Sequence, residues 1–300
     1  MICGIIDLGS NTIRLSIYTT DSGSVKPLFN KKVTAGLSGY VSDGALSVKG
    51  MGKACAALHS FRSILTNFGI QNVYVFATAS LRNISNTAQA VEYIKQNTRL
   101  DVDVLSGDEE ARLVFAGATQ SVQLEEGLVL DIGGGSSEYI SFAAGSEIKA
   151  SGSLPVGSLN QFYRHVSGLL PTASAMRKIR SEVLGEMKEK EFFQLGKHRN
   201  ICGVGGTIRA ARKLYNEVFE LPQDNAELET DKVERLLKLF EEDQRAIYRP
   251  VLQLSPERIH TIIPGMLILS TISKTCQAER ITVSGYGVRE GYLLSRVLRQ

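Results

Sequence analysis

Apolar strands and helically spaced apolar residues follow one another along the chain, and the sequence performs the series twice. The first round opens with Gly4-Ile-Ile-Asp7-Leu-Gly9, a strand ending in Asp-x-Gly, and a second alternating strand runs to Tyr18. Val25 to Ala35 adds a third strand. Ser42 or Asp43 is placed to cap a helix carrying Ala54, Leu58, Phe61 and Leu65, with Gly69 as its stop. Val73–Phe76 is a strand running into Ala77-Thr-Ala-Ser-Leu-Arg82. Asn86 caps a helix with Ala88, Val91 and Ile94, and Val102–Leu105 is a further strand. A helix then begins within Ser106-Gly-Asp-Glu-Glu-Ala-Arg112 and continues through Leu113, Phe115 and Ala118.

The second round starts after a crossover at Gln120–Gly127. Leu128-Val-Leu-Asp131-Ile-Gly-Gly-Gly-Ser-Ser-Glu138 repeats the strand and Asp-x-Gly turn, and Glu147–Leu154 is its third strand. Met176, Ile179, Val183 and Met187 mark an amphipathic helix whose Arg177, Lys178, Arg180 and Glu182 read as a solvated face. Asn200–Val204 is a strand feeding Gly205-Gly-Thr207 and a helix near Ile208. Leu221–Glu229 reads as an acidic loop, and Thr230 as the cap of a helix with Val233, Leu236, Leu237 and Phe240, before Pro250 breaks the pattern. A helix near Pro264, a strand at Arg280–Val283, a glycine turn at Ser284–Glu290 and a helix over Gly291–Leu298 complete the chain. The repetition predicts a duplicated α/β fold with mixed sheets, with domains at 1–122 and 123–300 and the last helix able to pack back on the first domain.

Three glycine turns give this order its chemistry. Backbone amides in such a turn approach a phosphate closely, and helix amino termini favour anions. A carboxylate just before the turn, Asp131, is placed to hold a divalent cation bridging to the phosphate. Taken alone, that stretch is equally a tight hairpin with an acidic mouth; the related turns at Asp7 and Gly205 shift the balance towards a phosphate cleft. Arg82, at a strand end, is placed to hold phosphate, the other reading being a surface arginine. The acidic run Asp108–Glu110 suits a helix dipole, yet it too follows a strand end, where a carboxylate can activate water.

Composition narrows the partners. A length of 300 residues holds two ordinary domains, and a net charge of +3 is too small to argue for nucleic acid. No apolar run is long enough to span a membrane and no secretory leader is visible, so a cytoplasmic protein is expected. Cys3, Cys55, Cys202 and Cys276 show no paired spacing and read as buried hydrophobes; with four unclustered histidines, a zinc site is not expected.

Six pieces in order resemble the exopolyphosphatase and guanosine pentaphosphate phosphatase family, in a short, two-domain form. They are Asp7-Leu-Gly-Ser-Asn-Thr-Ile-Arg14, Ala77–Arg82, Ser106–Arg112, Asp131–Glu138, Gly205–Thr207 and Ser284–Gly291. The resemblance implies a duplicated ribonuclease-H-like fold, the actin-like ATPase and sugar kinase arrangement, with a cleft between two domains. It also implies magnesium-assisted hydrolysis of a terminal phosphoanhydride bond, in inorganic polyphosphate or guanosine pentaphosphate; a homodimer is common in the family, and the sequence leaves the oligomeric state open. It makes Glu110 the catalytic base. The expected phosphate ligands are Gly9, Ser10, Asn11, Thr12, Arg14, Arg82, Gly133, Gly134, Gly135, Ser136, Gly205, Gly206 and Thr207. The expected magnesium ligands are Asp131, Asp7 and Glu138, the last being alternatively the partner of a basic residue. His260 stands where the family usually has an acidic side chain, and Ala79-Ser80 replaces the commoner Ser-Ala. A small-molecule kinase of the same fold, and a non-catalytic polyphosphate or nucleotide sensor, are the alternatives.

Overall fold

The computed structural model describes residues 1–21, 24–120, 122, 125–143 and 147–298. The expected crossover at Gln120–Gly127 and the 122/123 boundary fall partly outside these residues. The chain's contacts divide into two units, Met1–Glu110 and Ala111–Gln300.

In the first unit, β1 (Ile2–Leu8), β2 (Thr12–Asp21) and β3 (Ser24–Thr34) form an antiparallel meander. A small hairpin, β4 (Val41–Ser42) and β5 (Ala45–Leu46), leads to α1 (Val48–Asn67). Then come β6 (Val73–Ala77), α2 (Ala79–Arg82), α3 (Thr87–Thr98), β7 (Val102–Val104) and the start of α4 (Gly107–Ala118). β6 lies parallel to β1, and β7 parallel to β6, giving the order β3-β2-β1-β6-β7. One face buries Ile6, Leu8, Leu15 and Ile17 under Leu58, Phe61 and Leu65 of α1 and Ala90 and Ile94 of α3.

The second unit repeats that topology. β8 (Gly127–Ile132), β9 (Ser137–Ala143) and β10 (Glu147–Leu154) form the meander, followed by α5 (Ser158–His165) and α6 (Ala173–Glu189). β11 (Asn200–Val204), α7 (Gly205–Val218), β12 (Glu227–Glu229), α8 (Thr230–Glu242), α9 (Gln244–Leu254), α10 (Ile262–Thr275), β13 (Arg280–Val283) and α11 (Val288–Tyr292) complete it. The sheet order is β10-β9-β8-β11-β13-β12, the same five-strand core with an antiparallel edge strand added. Leu128, Leu130, Ile201 and Ile281 bury one face against Ile179, Val183, Leu214, Phe240 and the largely apolar α10, buried from Ile262 to Ser273. Ala111, Val114, Phe115 and Ala118 of α4 cover Val129, Ile140, Phe142 and Val204 on the other.

The duplication, the strands and the four buried, free cysteines match the sequence reading. Several local expectations do not hold. Ser47, not Ser42 or Asp43, caps α1, accepting from Gly50 N at 3.3 Å. Asp43 and Gly44, both at positive φ, are instead the turn of the β4–β5 hairpin, as Asp-Gly favours. Asn86 precedes α3, but its side chain bonds the backbone of Leu46, and Ala88 is exposed while Ala90 and Ile94 are buried. Arg180 and Glu182 of α6 are bonded to neighbouring helices rather than solvated. Thr230 is the first helical residue of α8, not its cap, and its buried hydroxyl makes no hydrogen bond. The 221–229 loop carries the edge strand β12. Pro250 sits inside α9, where the burial of Ile247 and Val251 outweighs the one helical bond it forfeits. The last helix begins at Val288 and passes into a π-helical turn over Leu293–Val297.

Candidate active site

In the first unit, the carboxyl ends of the parallel strands β1 and β6 lie side by side, tied by the Ser80 hydroxyl, which donates to Leu8 O. Asp7, next to last in β1, lies directly opposite Arg14 on β2. Between them Gly9 N donates to Thr12 O at 3.2 Å, closing the turn. The carbonyls of Ser10 and Asn11 accept from the 35–38 backbone. This gathers Asp7, Gly9, Ser10, Asn11, Thr12 and Arg14 at one strand end.

The acidic run at the start of α4 separates into three roles. Ser106 and Glu109 form a reciprocal capping box, at 3.0 and 3.2 Å. Asp108 is exposed. Glu110 alone turns inward, 6 % exposed, and its carboxylate accepts from Arg82 Nη1 at 2.6 Å. Arg82 also donates to Leu105 O at 3.2 Å, so the guanidinium is pinned between the end of β7 and the helix. The strand-following position that singled out Arg82 and Glu110 thus brings the two together.

In the second unit Asp131 and Glu138 repeat the register of Asp7 and Arg14, as opposed partners on β8 and β9. Both are buried, and Glu138 also accepts from Ser153 Oγ at 2.8 Å, its opposite number on β10. Gly133 N closes this turn on Ser136 O at 2.9 Å, as Gly9 N does in the first. Asp131 lies opposite Val204 on β11, and the chain turns there into α7. Gly205, at φ +86°, makes that turn beside the Asp131 carboxylate, which occupies the place a Cβ would need. No side chain caps α7. The Ser158 hydroxyl lies 3.2 Å from Gly133 O and 3.4 Å from Thr207 Oγ1, joining the second and third glycine turns.

Three arginines that the sequence motifs gave no role gather here. Arg258 reaches Thr207 Oγ1 at 3.4 Å, with its guanidinium over Gly206. Arg209 donates to Ser284 O at 3.3 Å. Burial, then the nearby charge of Arg289 and also of Arg258, push the Arg209 pKa below its ordinary value, against the pull of Asp131 and Glu290. Arg289 is itself buried, and Glu290 caps its helix by accepting from Gly287 N at 2.8 Å. They come from α7, the 256–258 turn and α11, so only the fold assembles them. His260, in the usually acidic position, packs edge-on to Phe162; burial and then Arg258 depress its pKa.

Comparison with known proteins bears on this geometry. Residues 16–300 match the sequence profile of the Ppx/GppA phosphatase family. A guanosine-5'-triphosphate,3'-diphosphate pyrophosphatase of Vibrio cholerae is 30 % identical over 98 % of this chain and 59 % of its own. This chain therefore spans about three fifths of the length of that relative. Exopolyphosphatase 1 of Mycobacterium tuberculosis is 24 % identical over 98 % of this chain and 88 % of its own. Among solved structures, an exopolyphosphatase from Cytophaga hutchinsonii superposes with a TM-score of 0.85 at 25 % identity, covering 98 % of this chain and 96 % of that one.

Proposed function

The chain belongs to the Ppx/GppA phosphatase family, and from that membership we propose that it is a phosphohydrolase releasing terminal phosphate from inorganic polyphosphate, guanosine pentaphosphate or both. Water attacks the terminal phosphorus, the anhydride P–O bond breaks towards the shortened chain, and the water's proton passes to Glu110. The observation that carries this reading is the buried Glu110 held by Arg82, the one acidic side chain of its run turned inward.

The remaining residues position charge. Phosphoryl transfer has a loose transition state, so stabilising its oxygens matters more than covalent help. In this proposal the amides of Gly9–Asn11, Gly133–Ser136 and Gly205–Thr207 take phosphate oxygens. Arg14 takes terminal oxygens as a planar fork, and Arg82 shares its donors between Glu110 and the phosphate.

A divalent cation fits the donor set. Asp131 and Glu138 are buried carboxylates set opposite each other, and like charges directly opposite across a ladder repel, so a cation placed beside them is favoured. Among the described residues no group of three or more His, Cys, Asp or Glu side chains forms a cage. Magnesium commonly binds through one or two carboxylates, with water and substrate phosphate completing its shell. Asp131, Glu138 and Asp7 are the residues that would hold it, and it would supply positive charge against the phosphate oxygens. Among the described residues no helix is long and apolar enough to cross a membrane, and the free thiols fit the proposed cytoplasmic location.

Phosphate release from tripolyphosphate, long polyphosphate and guanosine pentaphosphate, measured side by side, tests the proposal. Glu110→Gln should bind these substrates while turnover falls by about 10²–10⁴, the span for loss of a general base. Near-normal turnover would remove Glu110 from the mechanism.

A further inference from the structure

The turn Gly133–Gly135 is held from behind by the first turn of α5, and every glycine carbonyl in it is accounted for. Gly133 O accepts from Ser158 N at 2.9 Å. Gly134 O accepts from Leu159 N at 2.9 Å and Asn160 N at 3.0 Å. Gly135 O accepts from Asn160 Nδ2 at 2.8 Å. The same Nδ2 reaches Pro155 O at 3.0 Å, and Asn160 Oδ1 accepts from Gly157 N at 2.8 Å. A Cβ at Gly157 would run into the Gly134–Gly135 peptide, so only glycine lets α5 come this close.

These bonds decide where the opposite ends of the peptides point. In a planar trans peptide the N–H lies anti to the C=O, and among the described residues there are no cis bonds. Turning the carbonyls of Gly133, Gly134 and Gly135 towards α5 therefore turns the N–H groups of Gly134, Gly135 and Ser136 away from it. The amino-terminal N–H groups of α5 are spent on glycine carbonyls. That end of α5 is thus a clamp for the turn and not an anion site in its own right.

We propose that Asn160 is a positioning residue for the phosphate-binding turn: by fixing the Gly135–Ser136 peptide it holds the Ser136 amide in the orientation that receives a phosphoryl oxygen. The proposal rests on the phosphohydrolase reading for the identity of the ligand. Flipping that peptide replaces an amide hydrogen with a carbonyl oxygen, exchanging attraction for repulsion towards phosphate. The side chain works through its Nδ2 donor, and its Oδ1 serves only to cap the helix.

Two substitutions separate those halves. Asn160→Asp keeps the acceptor for Gly157 N but cannot donate to Gly135 O, whereas Asn160→Ala removes both functions without adding charge. Tripolyphosphate affinity is measured by calorimetry in the presence of magnesium, with thermal unfolding and phosphate release followed on the same samples. Both variants should bind tripolyphosphate at least tenfold more weakly, and Asn160→Asp should unfold within a few degrees of the parent. Wild-type affinity in Asn160→Asp overturns the proposal. So does weak binding by Asn160→Asp beside normal binding by Asn160→Ala, which would assign the loss to added charge. A parent that binds tripolyphosphate but releases no phosphate refutes the hydrolase reading, while weakened binding in both variants would still support the role of Asn160.

Discussion

Glu110 shows how a run of three carboxylates resolves into distinct functions. The capping box takes Glu109, solvent takes Asp108, and only Glu110 reaches an arginine in a buried setting. The glycines of the third turn divide in the same way. Gly205 combines a left-handed backbone with the Asp131 carboxylate where a side chain would start, whereas a methyl on Gly206 meets only the far end of Arg258. Gly205→Ala should therefore lower stability by about 1–3 kcal/mol, the range for local backbone strain, and displace Asp131. Gly206→Ala should leave thermal unfolding near the parent value and reduce turnover by moving Arg258. Denaturant unfolding together with phosphate release checks the pair; equal losses of stability would contradict the distinction.

At the scale of elements, α6, α8 and α10 are joined by charge as well as by apolar packing. Arg180 of α6 donates to Glu234 of α8 at 2.8 Å, and Ser270 and Lys274 of α10 converge on the same carboxylate. Burial alone would raise the Glu234 pKa, but the bonds from Ser270 and Arg180, the Arg180 charge and Lys274 outweigh it and hold it below the ordinary value. A depressed carboxylate contributes stability in full above its unfolded pKa and loses it as pH falls through the folded one. Glu234→Gln should cost on the order of 2 kcal/mol at neutral pH, as for hydrogen bonds to a charged group. The gap should narrow below roughly pH 4, the ordinary glutamate range. Urea titrations of both proteins from neutral to acid pH check this; a constant gap would deny the ion pair its role. The sequence conceals this contact because helical spacing distinguishes apolar from polar faces but not solvent from a partner helix. Arg180 and Glu182 therefore read as solvated. The same limit hid the cluster of Arg209, Arg258 and Arg289, whose members lie far apart in the chain. Strands, glycine turns and the Met176–Met187 stripe were legible because their signals are local. Pro250 and Thr230 misled because tertiary packing overrode a local preference.

Across the whole molecule, the two rounds of topology carry equivalent turns with unlike charge. Asp7 stands opposite Arg14 on the first hairpin, and Asp131 stands opposite Glu138 on the second, seven residues on in each case. The first pair brings its own cation; the second concentrates negative charge beside a glycine turn. Duplication thus supplies one scaffold twice, and the position opposite the aspartate carries opposite charge in the two copies. The second hairpin is the one expected to call for a metal. Chelation should abolish phosphate release, and added magnesium should restore it. Asp131→Asn and Glu138→Gln should each raise the magnesium concentration for half-maximal activity, by about tenfold or more if a metal contact or its immediate support is lost. Asp7→Asn should raise that concentration less than Asp131→Asn does while lowering maximal turnover, because Asp7 faces Arg14 across the ladder whereas Asp131 faces Glu138. Magnesium titrations of the three variants decide the matter: an equal shift at Asp7 and Asp131 would mean that the cation draws on both copies alike, and that the exchange of arginine for glutamate does not divide their labour.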